Sequence, residues 1–311
     1  MDIETVDIAR LQFAVVTIYH YFFVPLSIAL AATTAGLQTA WLRTGRQAYR
    51  DMTMLVGKLL MATFVVGVVG EAIAAGKLSG IATDLALMQS LGIKVVLVYG
   101  FRPQLDEQLH SKGYEAQYVN GIRITDETAL DCAQEAAGQL RFEIEAAFSQ
   151  GLPNTPMAGS TVRLVSGNFL TARPLGIIDG VDYKSTGVVR KVDVAAIRRS
   201  IEAGAMVLLS PFGFSPTGEA FNLVMEEVAA SVAIALQTDK LVFLTECDGI
   251  RARPGDTEDD DNPIDTEIPL ARARALMTQL PQSQASKNKS FYLRHCVNAC
   301  EHGVPRSHIL P

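Results

Sequence analysis

The sequence predicts an α/β domain with a mostly parallel sheet and helices on both faces, for three reasons. Strand-like apolar runs alternate with helical patterns from about residue 64 onward, which is typical of βαβ units. Several of these runs are apolar without polar alternation, as in strands buried on both faces. Glycine ends helical patterns just before the next strand, for example at Gly92 and Gly204.

The first βαβ unit is predicted over residues 64–100. Residues 64–70, FVVGVVG, form a β-rich run that ends in glycine, and residues 81–92 form an amphipathic helical pattern. Residues 91–100, LGIKVVLVYG, carry an unbroken apolar run and form the second predicted strand.

The chain breaks at Gly100 and Pro103 directly after this strand, and a helical pattern carrying Asp106 and Glu107 then follows. In an open parallel sheet such a turn lies at the carboxyl end of a strand. Backbone N–H groups and the positive end of the helix dipole meet there and favour an anionic ligand. The turn is therefore the first predicted site.

The later elements follow the same alternation. They are, in order, a helix at 103–110, a strand pair at 118–124, a capped helix that opens at Thr125, strands and a hairpin at 160–176 and 181–193, and helix-then-strand units at 197–213, 224–250 and 291–310. An acidic run at 255–263 is interpreted as a solvated loop.

Charge and cysteine content argue against a nucleic-acid partner and against a zinc site. The net charge of −6 and the pI near 5.4 leave no basic stripe to release counterions from phosphates, so no nucleic-acid partner is expected. Cys296 and Cys300 share a helix face near His295. Because a zinc site needs more ligands, we interpret these cysteines as core residues.

The N-terminal part of the chain is apolar enough to suggest a membrane segment. Residues 11–42 contain no Asp, Glu, Lys or Arg, and the basic Arg43, Arg46 and Arg50 follow at once. A bilayer span needs about 20 apolar residues, and basic residues mark the cytoplasmic side. We therefore predict a transmembrane helix with its N-terminus outside; a second apolar stretch, residues 52–70, is interrupted by Lys58.

The first 65 residues or so resemble the N-terminus of cytochrome bd ubiquinol oxidase subunit I. The resemblance rests on MDIETVDIARLQFAVVTIYHYFFVPLSIAL and GRQAYRDMTMLVGKLL. It implies that His20 matches a haem ligand within the membrane. The other helices that would enclose a haem are missing, so haem is expected only under this alternative and no cofactor otherwise.

From about residue 64 onward the chain resembles the amino-acid-kinase domain of bacterial N-acetylglutamate synthase, the acetyltransferase that begins arginine biosynthesis. Several stretches carry the resemblance in order: LGIKVVLVYGFRPQLDEQL, NGIRITDETAL, PNTPMAG, VSGNFLTARPLGIIDGVDY, PTGEAFNLVMEEVA and HGVPRSHI. It implies a three-layer αβα sandwich. Synthases continue into an acetyltransferase domain, whereas this chain stops at Pro311, so we expect no synthase activity by that mechanism.

The chain also resembles the related acylglutamate kinases, but it lacks the two lysines that supply positive charge in the kinase site. A kinase lysine on the first strand corresponds to Gly67, and a later lysine falls near Phe291 or Tyr292. An asparagine that holds the kinase substrate falls at Val224. Phosphoryl transfer needs cations on the moving phosphate, so residual kinase activity is only an alternative.

The resemblance also implies a ligand site. The predicted substrate- or effector-binding residues are Gly70, Gly100, Arg102, Arg123, Asn222, Glu226, Glu301 and Gly303. Arg123 matches the kinase arginine that contacts the acylglutamate, and a guanidinium suits a carboxylate; the alternative is a surface arginine at a strand end. Glu301 to Gly303 match a segment used for L-arginine sensing, and no catalytic or metal-binding residue is assigned.

Residues 64–70 satisfy both resemblances, as an oxidase helix and as the first strand of the sheet. We assign them to the strand, because a sheet without a central strand exposes two edges and an apolar face. The predicted domains are residues 1–63, a membrane segment and linker, and residues 64–311, in the cytoplasm. A natural fusion and a rearranged gene are both compatible with this join.

The function expected from the sequence is noncatalytic binding or regulation. The expected partner is an amino acid or acylamino acid, with a membrane tether and a homo-oligomer as further partners. The alternatives are an oxidase-derived membrane fragment and a residual acylglutamate kinase.

Overall fold

The computed structural model describes residues 64–68, 73, 76–90, 92–150, 162–245, 267–279 and 284–310, together with scattered residues between 36 and 49. The chain divides into two units, residues 1–62 and 63–311. The predicted membrane segment at 11–42 lies largely outside the described residues. Among the residues that are described, no helix combines the length and the apolar character needed to cross a bilayer.

The described elements of the second unit alternate as the sequence predicts. The helices are α1 (Leu78–Ser90), α2 (Arg102–Ser111), α3 (Glu127–Ser149), α4 (Val194–Glu202), α5 (Met225–Leu236), α6 (Leu270–Gln279) and α7 (Gln284–Glu301). The strands are β1 (Phe64–Val68), β2 (Lys94–Val98), β3 (Tyr118–Val119), β4 (Ile122–Arg123), β5 (Leu164–Val165), β6 (Leu170–Pro174), β7 (Ile177–Ile178), β8 (Val181–Asp182), β9 (Gly187–Val192), β10 (Met206–Leu209), β11 (Phe212–Phe214), β12 (Ala220–Asn222), β13 (Lys240–Leu244) and β14 (Arg306–Leu310).

Strand β1 lies in the middle of the main sheet. Six strands take the order β14-β13-β1-β2-β10-β5, and every neighbouring pair is parallel. Phe64 is in register with Lys94 on one side, and Val65 with Lys240 on the other. The prediction that residues 64–70 belong to the sheet is therefore confirmed for Phe64–Val68, and residues 69–70 lie outside the described residues.

The main sheet is buried on both faces, as its unbroken apolar strands predict. Alternate residues of β2 face opposite layers. Val96 and Val98 pack in a core with residues of α4, α5 and α7. Val95 and Leu97 pack in a second core with residues of α1, α2 and α3. The fold is thus an α/β sandwich of helix, sheet and helix.

A second sheet of four strands was not predicted as a separate layer. Its order is β12-β11-β6-β9, with antiparallel pairs at β11–β12 and β6–β9 and a parallel pair at β6–β11. Strand β6 pairs with β9 and with β11, both well separated from it along the chain, and the sequence predicts no strand at β12. Local patterns therefore did not identify these strands as one sheet. Its glycine Gly187 leaves room for Phe221, which would lie 2.6 Å from an added Cβ.

The start of α3 differs from the prediction by one residue. Asp126 is the N-cap, and its carboxylate accepts a hydrogen bond of 2.9 Å from the N–H of Ala129. Thr125, the predicted opening residue, instead points into a buried polar cluster. Asp is as good an N-cap as Thr, so local propensity could not separate the two positions.

Candidate functional site

A cleft opens at the carboxyl edge of the main sheet, where the sequence predicts the first site. It lies beyond the ends of β2 and β10, at Gly100 and Pro211, and the β3–β4 hairpin forms one of its walls. It encloses about 740 Å³, counting the space at its open mouth. Concave clefts at the strand ends of an open α/β sheet are common sites for small-molecule ligands.

Five of the eight predicted site residues line this cleft. They are Gly100, Arg102, Arg123, Asn222 and Glu226. They come from three separate parts of the chain: the β2–α2 turn, strand β4, and the connection from β12 to α5. The fold therefore brings together residues that lie more than 100 positions apart.

Arg123 is the central polar side chain of the cleft. It is 7% exposed, so the alternative of a surface arginine is wrong. Its Nη2 donates to the carboxylate of Asp106 and to the hydroxyl of Tyr118, and its guanidinium carbon lies 4.5 Å from the centre of the Tyr118 ring. Its Nη1 is buried and has no hydrogen-bond partner among the described residues.

The phenol of Tyr118 is held neutral near pH 7. Burial is the main cause that raises its pKa, to about 12; Arg123 lowers the pKa and Asp106 raises it, both with smaller effects. The neutral hydroxyl donates to Asp106, whose two carboxylate oxygens lie at 3.2 and 3.1 Å. Tyr118 can therefore accept from Arg123 and donate to Asp106 at the same time.

A buried hydrogen-bond cluster fixes the backbone of Arg123. The Thr186 hydroxyl donates to the Arg123 carbonyl at 2.6 Å and lies 2.8 Å from the Thr125 hydroxyl. The Asn222 amide nitrogen donates to the Thr125 hydroxyl at 3.1 Å. These side chains are 8% exposed or less. Because each has a partner, the cluster can be buried at little cost and holds β4 against β12.

Two helices begin at the cleft, and neither N-cap makes a side-chain hydrogen bond. The N-cap of α2 is Phe101 and that of α5 is Val224, and both residues line the cleft. The first N–H groups of a helix have no partner within the helix and carry a partial positive charge. Arg123 and these two helix ends together favour an anion, whereas Glu226, 2% exposed, adds a buried acidic group.

Aromatic side chains line part of the cleft. Phe101 stacks on Phe212, with ring centres 5.5 Å apart and planes at 20°. Tyr292 lines the cleft and packs on Phe243, with ring centres 5.4 Å apart. Gly67, at the position of the first kinase lysine, is buried in β1.

Two of the remaining predicted residues, Glu301 and Gly303, do not line this cleft. Glu301 ends α7 and pairs with Arg274 of α6. Gly303 has a φ of +103°, and an added Cβ would lie 2.8 Å from the side-chain oxygen of Gln237 at the far end of α5. Glu226 lies at the cleft, and Gln237 lies about 16 Å further along α5 at 1.5 Å per residue. Gly303 therefore lies near the end of α5 that is away from the cleft. Gly70 and His20 lie outside the described residues.

Residues that the sequence analysis missed complete the site. Asp106, Tyr118, Thr125 and Thr186 hold Arg123 or its strand. No local motif marks them, because each role is defined by a contact in the folded chain and not by a sequence pattern. Within the described part of the chain, no cluster of His, Cys, Asp or Glu could hold a metal ion, and Cys296 is buried in a core.

Two family models match the chain. The amino acid kinase family matches residues 62–311, and cytochrome bd terminal oxidase subunit I matches residues 8–79. The two matches overlap at residues 62–79, a range that includes strand β1.

Curated relatives are similar over the same α/β region. The amino-acid acetyltransferase of Ralstonia nicotianae is 48% identical over 249 residues, which cover 80% of this chain and 53% of the relative. That of Photobacterium profundum is 43% identical over 248 residues, 80% of this chain and 55% of the relative. The chain spans about half the length of these relatives.

Solved structures agree on the fold. N-acetylglutamate synthase from Neisseria gonorrhoeae, complexed with coenzyme A and L-arginine, matches with a TM-score of 0.72 and 38% identity over 81% of this chain and 57% of that chain. Carbamate kinase from Giardia lamblia bound to AMP-PNP matches with a TM-score of 0.55 over 80% of this chain and 93% of that chain. At 15% identity the second match shows the fold alone.

Proposed function

Because the chain belongs to the amino acid kinase family, we propose that its α/β domain binds the carboxylate of an amino acid or an acylamino acid. The domain is the amino-acid-kinase type found in N-acetylglutamate synthases. We infer a noncatalytic, regulatory or ligand-holding part in arginine biosynthesis. The curated relatives are amino-acid acetyltransferases, and this chain spans about half of their length. Acetyl transfer by this chain is not part of the proposal.

The observation that carries the proposal is the buried Arg123 in the cleft wall. Its Nη1 donor has no hydrogen-bond partner in the described part of the chain. Leaving a buried donor unsatisfied costs about 1–3 kcal/mol, or more for a charged group. A ligand carboxylate that reaches this nitrogen would recover that cost and form a charge-assisted hydrogen bond.

The helix ends support the same ligand chemistry. The N-termini of α2 and α5 both lie at the cleft and favour negative charge. The aromatic side chains of Phe101 and Tyr292 line the same cleft, and a carboxylate needs less room beside them than a polyphosphate does.

The residues at the positions of the two kinase lysines argue against phosphoryl transfer. Kinase chemistry needs cations on the transferred phosphate. The positions that match the two kinase lysines hold Gly67 and either Phe291 or Tyr292. We therefore propose a binding site without kinase activity.

Isothermal titration calorimetry on the full chain tests the proposal. L-arginine and N-acetylglutamate are suitable probes, because the Neisseria gonorrhoeae synthase is known in complexes with L-arginine and with N-acetyl-glutamate. We expect at least one probe to bind and Arg123→Ala to weaken binding by about 10- to 100-fold, the loss of a charged hydrogen bond. Arg190→Ala, which removes an exposed arginine of β9, is the control. Absence of heat with both probes would refute the proposal.

A second candidate function rests on the cytochrome bd match at residues 8–79. We propose it as the alternative in which an N-terminal helix inserts in the inner membrane, holds the α/β domain on the cytoplasmic side, and His20 ligates haem. A Soret band in the purified full chain that is lost in His20→Ala would support it. A colourless preparation would rule out the haem, and extraction of the chain from membranes by high salt would rule out the insertion.

A further inference from the structure

We propose that Asp106 and Tyr118 are positioning residues that hold the Arg123 guanidinium in one orientation for its ligand. This inference rests on the proposed function, since it explains how the carboxylate-binding arginine is prepared. Neither Asp106 nor Tyr118 needs to contact the ligand itself.

The hydrogen bonds of Arg123 divide its two terminal nitrogens into two roles. Nη2 donates to both Asp106 and Tyr118, whereas Nη1 has no partner among the described residues. A guanidinium has five N–H donors in a rigid plane, so fixing one nitrogen fixes the direction of the others. The internal bonds thus use Nη2 and leave Nη1 for an acceptor from outside the chain.

The ring of Tyr118 fixes the plane as well as the direction. The guanidinium carbon lies 4.5 Å from the ring centre, a distance at which a cation is attracted to an aromatic face. The Tyr118 hydroxyl also donates to Asp106, so the three side chains form a closed set of hydrogen bonds. Rotation of Arg123 would break two of these bonds and the ring contact together.

The three residues also join separate elements at the mouth of the cleft. Asp106 lies on α2, whereas Tyr118 and Arg123 are paired residues on the two strands of the β3–β4 hairpin. Asp106 therefore ties the hairpin to the helix whose N-terminus faces the same cleft. The Asp106 side chain is 41% exposed, whereas its partner Arg123 is 7% exposed.

Five single variants of the full chain test the proposal. Asp106→Asn removes the negative charge that pairs with Nη2 and leaves one acceptor oxygen, whereas Tyr118→Phe removes the hydroxyl that accepts from Nη2. We expect each variant to weaken binding of the active probe, L-arginine or N-acetylglutamate, by about tenfold. Glu107→Gln, the neighbouring acid on α2, and Tyr114→Phe, an exposed tyrosine, are the matched controls and should bind as the parent does. Asp106→Glu should recover most of the lost affinity.

An NMR measurement separates this proposal from the proposed function. In full chain labelled with ¹⁵N-arginine, we expect slowly exchanging Nη signals of Arg123, identified by their loss in Arg123→Lys. Asp106→Asn and Tyr118→Phe should average these signals, whereas Glu107→Gln should not.

The outcomes are distinct. If the parent binds neither probe but the Arg123 signals behave as expected, the proposed function fails and the positioning role stands. If the signals average in the parent, or if Asp106→Asn binds the probe as tightly as the parent or more tightly, the positioning role is overturned.

Discussion

Neighbouring strands of the four-stranded sheet approach Gly187 so closely that no side chain fits at this position. An added Cβ would lie 2.6 Å from Cβ of Phe221 and 2.9 Å from the carbonyl oxygen of Arg173. The second of these is backbone and cannot rotate away. The approach of β9, β6 and β12 therefore depends on the missing side chain.

Gly187→Ala should lower the free energy of unfolding by about 2 kcal/mol, the usual cost of overpacking a well-packed site. Gly138→Ala is the matched control, because Gly138 lies in the interior of α3 with no atom within 4 Å of the added Cβ. Replacing a helix glycine by alanine should instead raise the free energy of unfolding by roughly 0.5–1 kcal/mol. Urea unfolding measures both; equal effects of the two variants would contradict the packing argument.

His295 gives the domain a pH-dependent stability. Burial, with a smaller effect of Arg294, lowers its pKa from 6.5 to about 4, and its ring packs edge-on against Phe291 at 5.0 Å. The unfolded chain therefore binds a proton more readily than the folded one. The contribution of His295 is fully present above pH 6.5 and is lost as pH falls toward 4.

We expect about 3 kcal/mol of unfolding free energy to be lost over this range, at 1.36 kcal/mol per pKa unit. His295→Leu should remove this part of the pH dependence, whereas His110→Gln, which removes an exposed imidazole on α2, is the control. Denaturant unfolding at pH 7.5, 6, 5 and 4 measures it. A slope unchanged by His295→Leu would contradict the assignment.

At the scale of elements, β1 holds the main sheet together. It lies between β2 and β13, and Val66 is fully buried in the core that includes α5. A strand in this position carries hydrogen bonds on both edges and side chains on both faces. Its contribution cannot be replaced by a neighbouring strand.

Val66→Ala should therefore destabilise the domain by about 2 kcal/mol, through lost burial and the cavity left behind. Leu87→Ala, at a side chain 45% exposed on α1, should change stability by less than about 0.5 kcal/mol. Guanidinium unfolding of the full chain, followed by the circular dichroism of the α/β domain, compares the two. A neutral Val66→Ala would mean that β1 is not part of the folded sheet.

The elements that form the cleft differ in how well the sequence predicts them. The turn at Gly100 could be predicted, since a buried strand that runs into a helix in a parallel sheet ends at a ligand site. The resemblance supplied Arg123, Asn222 and Glu226. Asp106 and Tyr118 could not be predicted, because their role is defined by a contact with Arg123 and not by a pattern of their own.

At the scale of the whole molecule, the proposed ligand chemistry predicts which small molecules stabilise the chain. A ligand that binds only the folded state at 100 times its Kd adds about 2.7 kcal/mol. For an α/β domain of this size that corresponds to a rise of about 5 to 10 °C in Tm.

We expect this rise with L-arginine or N-acetylglutamate and no rise with ATP and Mg²⁺. Thermal unfolding followed by circular dichroism, with ATP hydrolysis measured in parallel, tests both halves. Turnover of ATP that is abolished by Arg123→Ala would favour the residual kinase alternative instead.

The sequence by itself determined the fold class, because strand and helix periodicities are local properties that a run of residues carries wherever it lies. It could not determine the order of the strands, the separate four-stranded sheet or the contacts of Arg123. The stretch Phe64–Val68 shows the physical reason most directly. Its pattern fits a membrane helix as well as a strand, and only pairing with Lys94–Val98 and with Lys240–Phe243, far along the chain, assigns it to the sheet.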